Sequence, residues 1–278
     1  MRRVIALAFV LAAAGAAVLG NDYLGPAFAT ETRSVRSARP ALATGTRDVA
    51  SARQAFPGNV EYDGRLVFVR IRYDVGYSLG GGGRFRGSRG EPPWAHDYPT
   101  ADTHLMKILK ELTLTDPRVD ASNVLELDDP ELLDYPIAYM SEPGFWTMSD
   151  EEAKGLRVYL QKGGFIIFDD FRQNDMYNLE EQMKRALPEL RWVELEHVHT
   201  VFNSFFEIKN FDFGYYGKET YYGMFEDNDP KKRLLAVAGH NQDLGEFWEF
   251  SDTGMMPVDL SNEAYKYGVN YFIYGLIH

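Results

Sequence analysis

The sequence predicts an α/β fold: a mostly parallel sheet with helices on both faces, carrying an added β-hairpin region near 205–250. Three observations predict it. From Leu66 to Leu195, short runs rich in β-branched and aromatic residues alternate with helical patterns, at the spacing of βαβ units. Between Ser149 and Phe168 a helix start, a helix stop and a strand follow one another without a gap. After Phe205 the texture changes to aromatic-rich runs broken by Gly217, Gly223, Asp227 to Pro230 and Gly239, as in hairpins.

Taken in order, Leu66 to Tyr73 predicts the first strand, and Gly80 to Gly83 a loop followed by Arg84, Arg86 and Arg89. A helix over 101–112 places Leu105, Ile108, Leu109 and Leu112 on one face. Val124 to Leu127 and Ile137 to Met140 predict two further strands. Ser149 and Glu152 form a capping box, and Ala153, Leu156, Tyr159 and Leu160 the buried stripe of the helix it opens. Gly163-Gly164 ends that helix. The strand Phe165 to Phe168 runs straight into Asp169-Asp170-Phe171-Arg172. A helix from Asn178 to Pro188 and a strand over Trp192 to Leu195 complete the alternation. Leu234 to Ala238 reads as a buried strand. A last helix over 261–276, with Ala264, Val269, Phe272, Ile273 and Leu276, is apolar on most sides and should pack into the body.

The chain has 278 residues, a net charge of −12 and no cysteine. Without cysteine there is no disulfide framework, thiolate zinc site or cysteine nucleophile. At 45% hydrophobic and 25% charged it is neither disordered nor fibrous. The acidic balance argues against general nucleic-acid binding, which needs a basic face to replace phosphate counterions.

Met1-Arg2-Arg3, the apolar stretch Val4 to Gly20 and Ala27-Phe28-Ala29 predict a signal peptide over 1–29, cut after Ala29, and hence an exported, periplasmic or extracellular protein. The alternative is an uncleaved anchor, for which the stretch is short and rich in alanine. Residues 30–56, rich in Ala, Arg, Ser and Thr, predict a disordered linker, a spacer in preference to a basic tether. Residues 57–278 then form one α/β domain with no internal repeat, and no later segment predicts a membrane span.

Several motifs resemble one bacterial family in order along the chain. They are Pro92-Pro93-Trp94-Ala95-His96-Asp97-Tyr98-Pro99, Ala138-Tyr139-Met140-Ser141-Glu142-Pro143-Gly144-Phe145-Trp146 and Gly163-Gly164-Phe165-Ile166-Ile167-Phe168-Asp169-Asp170-Phe171. Asn178-Leu179-Glu180-Glu181-Gln182-Met183 and Glu246-Phe247-Trp248-Glu249-Phe250-Ser251-Asp252-Thr253-Gly254 join them. The resemblance is to the DUF4159 family and covers about residues 60 to 278. It implies a flavodoxin-like, class I glutamine amidotransferase-like fold, and 136–171 is also similar to the ThuA-like branch. True glutamine amidotransferases carry a cysteine on a glycine-flanked strand-to-helix elbow. Here that region reads Phe168-Asp169-Asp170-Phe171-Arg172, so glutaminase chemistry is excluded on residue grounds.

In an open parallel sheet, ligands bind outside the carboxyl ends of the strands. That rule selects Asp74, Glu142, Asp169, Asp170, Arg172 and His240. Adjacent residues on a strand face opposite ways, so at most one of Asp169 and Asp170 enters a shared pocket unless the chain turns. The pair can hold a hard cation, supply a general acid or base, or, through Asp170 and Arg172, bind a polar ligand such as a sugar. The plainer alternative is a cap and an ion pair. Catalytic candidates are Asp169, Asp170, Glu142 and His96. Ligand-binding candidates are Trp94, Asp97, Tyr98, Arg172, Asp74 and His240, with Trp94 to Tyr98 in a long loop that suits sugar stacking or acid–base work. The glycine-rich loop lacks the Lys-Ser/Thr of a P-loop. Glu226 to Pro230 lacks the glycine and distal glutamate of a calcium loop and reads as a solvated turn. His197 and His199 alternate as zinc ligands can, but no third ligand is evident, so no metal site is assigned.

Two functional readings follow. One is a non-catalytic binding or assembly module of the cell envelope on a degenerate amidotransferase-like fold, whose partner is an envelope protein or a small polar or carbohydrate ligand. The other is a hydrolase or lyase acting on a carbohydrate or envelope polymer through an acidic rim. No cofactor is required by either; a divalent cation remains one reading of the rim.

Overall fold

The computed structural model describes residues 58–75, 91–209, 211 and 216–278. The predicted signal peptide over 1–29, the linker over 30–56 and the Gly80–Gly83 loop with Arg84, Arg86 and Arg89 lie outside the described residues.

The strands are β1 (Phe68–Ile71), β2 (Asp74–Val75), β3 (Ser122–Leu125), β4 (Ile137–Ser141), β5 (Trp146–Thr147), β6 (Phe165–Phe171), β7 (Trp192–Glu194), β8 (Thr220–Phe225) and β9 (Leu234–His240). The helices are α1 (Thr100–Leu112), α2 (Asp150–Gln161), α3 (Asp175–Ala186), α4 (Leu244–Glu249) and α5 (Val258–Ile277). Seven strands form one sheet in the order β3-β1-β4-β6-β9-β8-β7. The first five are parallel; β8 and β7 add an antiparallel edge. β2 and β5 pair separately.

Both faces of the parallel strands are covered, so the strands read as apolar runs and the period of two shows only in which core each residue joins. Val69, Ala138, Met140, Ile166 and Phe168 pack with α2 and α3. Phe68, Ile137, Tyr139, Phe165, Ile167 and Val237 pack with α1, α4 and α5. The Ser149–Glu152 capping box is present with both of its hydrogen bonds, and Gly163 ends the turn beyond α2 at φ 114°. Among the described residues no helix is long and apolar enough to cross a membrane.

Several boundaries differ from the expectation for identifiable reasons. α3 begins at Asp175, and Asn178 instead spends its side-chain amide on the carbonyls of Pro143 and Trp146. On α1 the buried face is Ala101, Asp102, Leu105, Met106 and Leu109, while Leu112 is 46% exposed. β7 is not another parallel strand, because among the described residues its sheet partner is β8, antiparallel. The hairpin region does contain the β8–β9 hairpin, turning through Asp227 and Asn228 at positive φ. Residues 244–249, however, are helix α4, opened by Asp243, whose carboxylate accepts the Glu246 backbone N–H.

Candidate functional site

The sheet's carboxyl edge is built around β6. Alternation carries Asp169 to the α4 side, where Oδ2 accepts the Tyr139 hydroxyl at 2.8 Å and the Leu244 and Gly245 backbone N–H groups at 2.8 and 3.0 Å. Asp169 is thus a buried anchor for the start of α4. Burial raises its carboxyl to about 6, opposed by the Tyr139 hydrogen bond. The next residue breaks the pattern. Asp170 has φ 53°, and the β6–β9 register shifts between Phe168 and Phe171. This turn sends Asp170 into a cleft of about 330 Å³ lined by His96, Glu142, Gly144, Phe145, Arg172 and Glu246 among others.

The charges in the cleft are organised by Asp170. Its Oδ2 lies 2.8 Å from His96 Nδ1, and its Oδ1 accepts Arg172 Nη2 at 3.0 Å. The same Arg172 nitrogen reaches Asp243 Oδ2 at 2.7 Å. The guanidinium lies 3.6 Å from the centre of the Tyr216 ring, and the Tyr216 hydroxyl donates to Glu246. The Asp170 hydrogen bond is the main cause holding the His96 imidazole up, near 10, against the opposing effect of its partial burial.

Glu142 stands where β4 ends, in the left-handed region at φ 48°, ψ 50°. Its backbone N–H donates to Asp169 and its carbonyl accepts the Tyr73 hydroxyl, so the strained position is fixed from both sides. Burial, then the nearby Asp170 carboxylate, push the Glu142 carboxyl up to about 7. Strain of this kind concentrates here. Five of the seven non-glycine residues with positive φ among the described residues, Asp97, Glu142, Asp170, Gln173 and Asn241, lie at this one edge.

The loop bearing His96 is held by a residue deep in β1. Arg70, fully buried, bonds both Asp102 oxygens and donates to the carbonyls of Trp94 and His96. It also lies 4.9 Å from the Tyr139 ring centre.

Of the residues selected from sequence, His96, Glu142, Asp170 and Arg172 meet in the cleft. Asp169 lies directly beneath it. Asp97 is buried behind His96, its Oδ2 3.6 Å from His96 Nδ1. The other four are off the cleft wall. Trp94 packs on the α2–α3 core, Tyr98 lies against Arg70, and Asp74 pairs with Thr147 in the β2–β5 ribbon. His240 bonds the Gln173 carbonyl and packs on Phe171. His197 and His199 are local: His199 Nδ1 accepts the Val201 N–H, and His197 lies edge-on to Phe211. Sequence reasoning missed Arg70, Asp243, Tyr216 and Glu246. Arg70 carried a legible signal, a charge inside an apolar strand buried on both faces. Asp243 carried another, an N-cap three residues before a glutamate.

No curated protein matches the chain. A family profile described as a domain of unknown function, DUF4159, matches residues 67–276. These residues include every strand of the sheet and every wall of the cleft, and the chain belongs to the DUF4159 family.

Proposed function

We propose that this chain is an exported binding module that holds a small polar, hydroxyl-rich ligand, a carbohydrate fragment of the cell envelope, in the cleft at the sheet's carboxyl edge. The frame we assign is flavodoxin-like and related to the class I amidotransferase-like superfamily and its ThuA-like branch. Its support is the order of the five parallel strands, which in chain sequence stand 2-1-3-4-5. One observation carries the ligand reading: ionisable side chains from the His96 loop, the ends of β4 and β6 and the start of α4 converge on a single cleft, and two of them, Glu142 and Asp170, stand in strained backbone conformations. Carboxylates accept hydrogen bonds from hydroxyls, Arg172 donates them, and Phe145 offers a ring to a sugar's C–H face. The reaction class of the superfamily is not carried over, because no thiol is present.

The experiment is a saturation-transfer NMR screen of N-acetylglucosamine, N-acetylmuramic acid and their oligomers. Binding should appear with the wild type and be lost in Arg172→Gln. Binding unaffected by Arg172→Gln would place the ligand elsewhere. Export rests on residues 1–29, and N-terminal sequencing of the secreted protein should begin at Thr30; a mature chain still starting at Met1 would make it anchored.

A second reading, a hydrolase or lyase, is favoured by one contrast. Asp170 is paired with His96 and Arg172, whereas no hydrogen bond reaches the Glu142 carboxyl among the described residues. Two carboxyls in unlike settings are the usual division between acid and base. If this reading holds, Glu142→Gln abolishes turnover of a bound ligand and leaves its binding in place.

A further inference from the structure

We infer that His96, Asp97, Asp170 and Asp243 form a site for a single divalent transition-metal ion, Mn²⁺ or Zn²⁺, at the floor of the cleft. His96, Asp170 and Asp243 each offer a donor atom, and these atoms lie within 4.8 Å of one another. Donors at about 2.0–2.2 Å from one ion stand no more than about 4.4 Å apart, so a small closing of these side chains brings all three onto a single ion. Asp170 lies at the end of β6, Asp243 caps α4 just beyond β9, and His96 sits in the loop that Arg70 ties to β1, so three separate segments supply the donors.

The second observation is Asp97. It is 3% exposed, and neither carboxylate oxygen has a hydrogen-bond partner among the described residues. Buried polar atoms are normally satisfied, and a bare buried carboxylate calls for an explanation. Its Oδ2 points toward the cluster, 3.6 Å from His96 Nδ1. The backbone holds it there in the left-handed region at φ 64°, and Gly245 makes room: a Cβ on Gly245 would come within 2.4 Å of that oxygen.

Charge points the same way. Asp97, Asp170 and Asp243 are 3, 6 and 0% exposed, and the cationic groups facing them are His96 and Arg172. Arg70 is committed to Asp102. A divalent ion supplies positive charge here in place of the proton that His96 Nδ1 shares with Asp170, which it displaces on binding. Arg172 does not block it, because each carboxylate oxygen has a second lone pair and the arginine approaches from the Tyr216 side. An imidazole among carboxylates suits Mn²⁺ or Zn²⁺ better than Mg²⁺ or Ca²⁺, which prefer oxygen alone.

This inference rests on the cleft being a ligand site, yet the two fail separately, since the saccharide screen can be run on chelator-treated protein. The test is a Mn²⁺ titration of chelator-treated full-length protein followed by electron paramagnetic resonance. The expected result is one Mn²⁺ per chain, displaced by Zn²⁺, with nitrogen modulation from a coordinated imidazole. His96→Gln should remove the nitrogen signal, and Asp97→Asn should weaken Mn²⁺ binding by about tenfold or more. Asp97→Asn should also raise the melting temperature of the metal-free protein, because it removes a buried acid whose oxygens have no hydrogen-bond partner among the described residues; the two shifts oppose each other, as a purely structural role would not produce. A control on the β8–β9 turn, Asp227→Asn, should change nothing. No binding up to ~1 mM Mn²⁺, binding without nitrogen modulation, or binding unchanged in both His96→Gln and Asp97→Asn would overturn the site. Saccharide binding that persists without metal would leave the function proposed above standing alone.

Discussion

Replacing Arg70 with methionine should destabilise the protein by about 3–5 kcal/mol, the usual cost of leaving a buried charge without its partner. Arg70 and Asp102 are both fully buried, and Arg70 bonds both Asp102 oxygens. Burial already raises the Asp102 carboxyl, with Arg70 opposing, so losing the guanidinium leaves a group that must protonate or unfold its surroundings. The same change removes the donors that hold the Trp94 and His96 carbonyls. A double variant, Arg70→Met with Asp102→Leu, separates the two effects. It should recover most of the lost stability, since a buried ion pair exchanged for apolar side chains is often neutral or better. It should not recover ligand binding, because the loop carrying His96 stays unpinned. Denaturant unfolding and the saccharide screen, run on both variants, check this; full recovery of binding in the double variant would show that the loop does not depend on Arg70.

Glu142→Gln should act in the opposite direction and only above mildly acidic pH. The carboxyl moves from an ordinary 4.5 to about 7 in the fold. Between those values the folded state keeps a proton that the unfolded chain has released, so stability falls as pH rises through this window. Above it, the wild type carries a charged Glu142 buried beside Asp170, and the amide does not. In metal-free protein we expect Glu142→Gln to be more stable by about 1–3 kcal/mol near pH 8, the full linkage value being reduced because the cleft is partly open. Near pH 4 the difference should vanish. Thermal melts across this range are the check, and a Glu142→Gln protein less stable than wild type near pH 8 would mean the carboxylate makes favourable contacts that outweigh its burial. The gain is the cost of keeping an acid at this position, as expected where function and stability conflict.

The parts of the fold visible in the sequence were those fixed by local chemistry. Ser149 with Glu152, the Gly163-Gly164 stop and the apolar run from Phe165 need only near neighbours, and they stand as expected. The parallel core strands followed from alternation with helices. The edge did not: whether Trp192 to Glu194 pairs parallel or antiparallel depends on what lies beside it, and among the described residues that is β8. The same division holds in the cleft. The strand-end rule selected Glu142, Asp170 and Arg172 because topology alone brings them to one rim. Which of Asp169 and Asp170 faces the cleft was set by a bulge at positive φ, and aspartate tolerates that conformation too readily to announce it. The sequence offers Trp94 and Tyr98 as ligand contacts in a loop; Arg70, 24 residues before Trp94, ties that loop down, and the half-buried rings pack on the core and beside Arg70, off the cleft lining. Asp243 went unread because α4 has only six residues and its cap lies within an aromatic-rich stretch.

The carboxyl-edge cleft is where we propose that this protein meets its ligand. The measurement that tests it most directly is a crystal structure of the protein soaked with a saccharide found in the binding screen. Density is expected within hydrogen-bonding distance of Glu142 and Arg172, with the sugar against Phe145. A ligand seated instead in the groove between α2 and residues 127–133, lined by Leu127, Leu133 and Val158, with the cleft left to solvent, would contradict it.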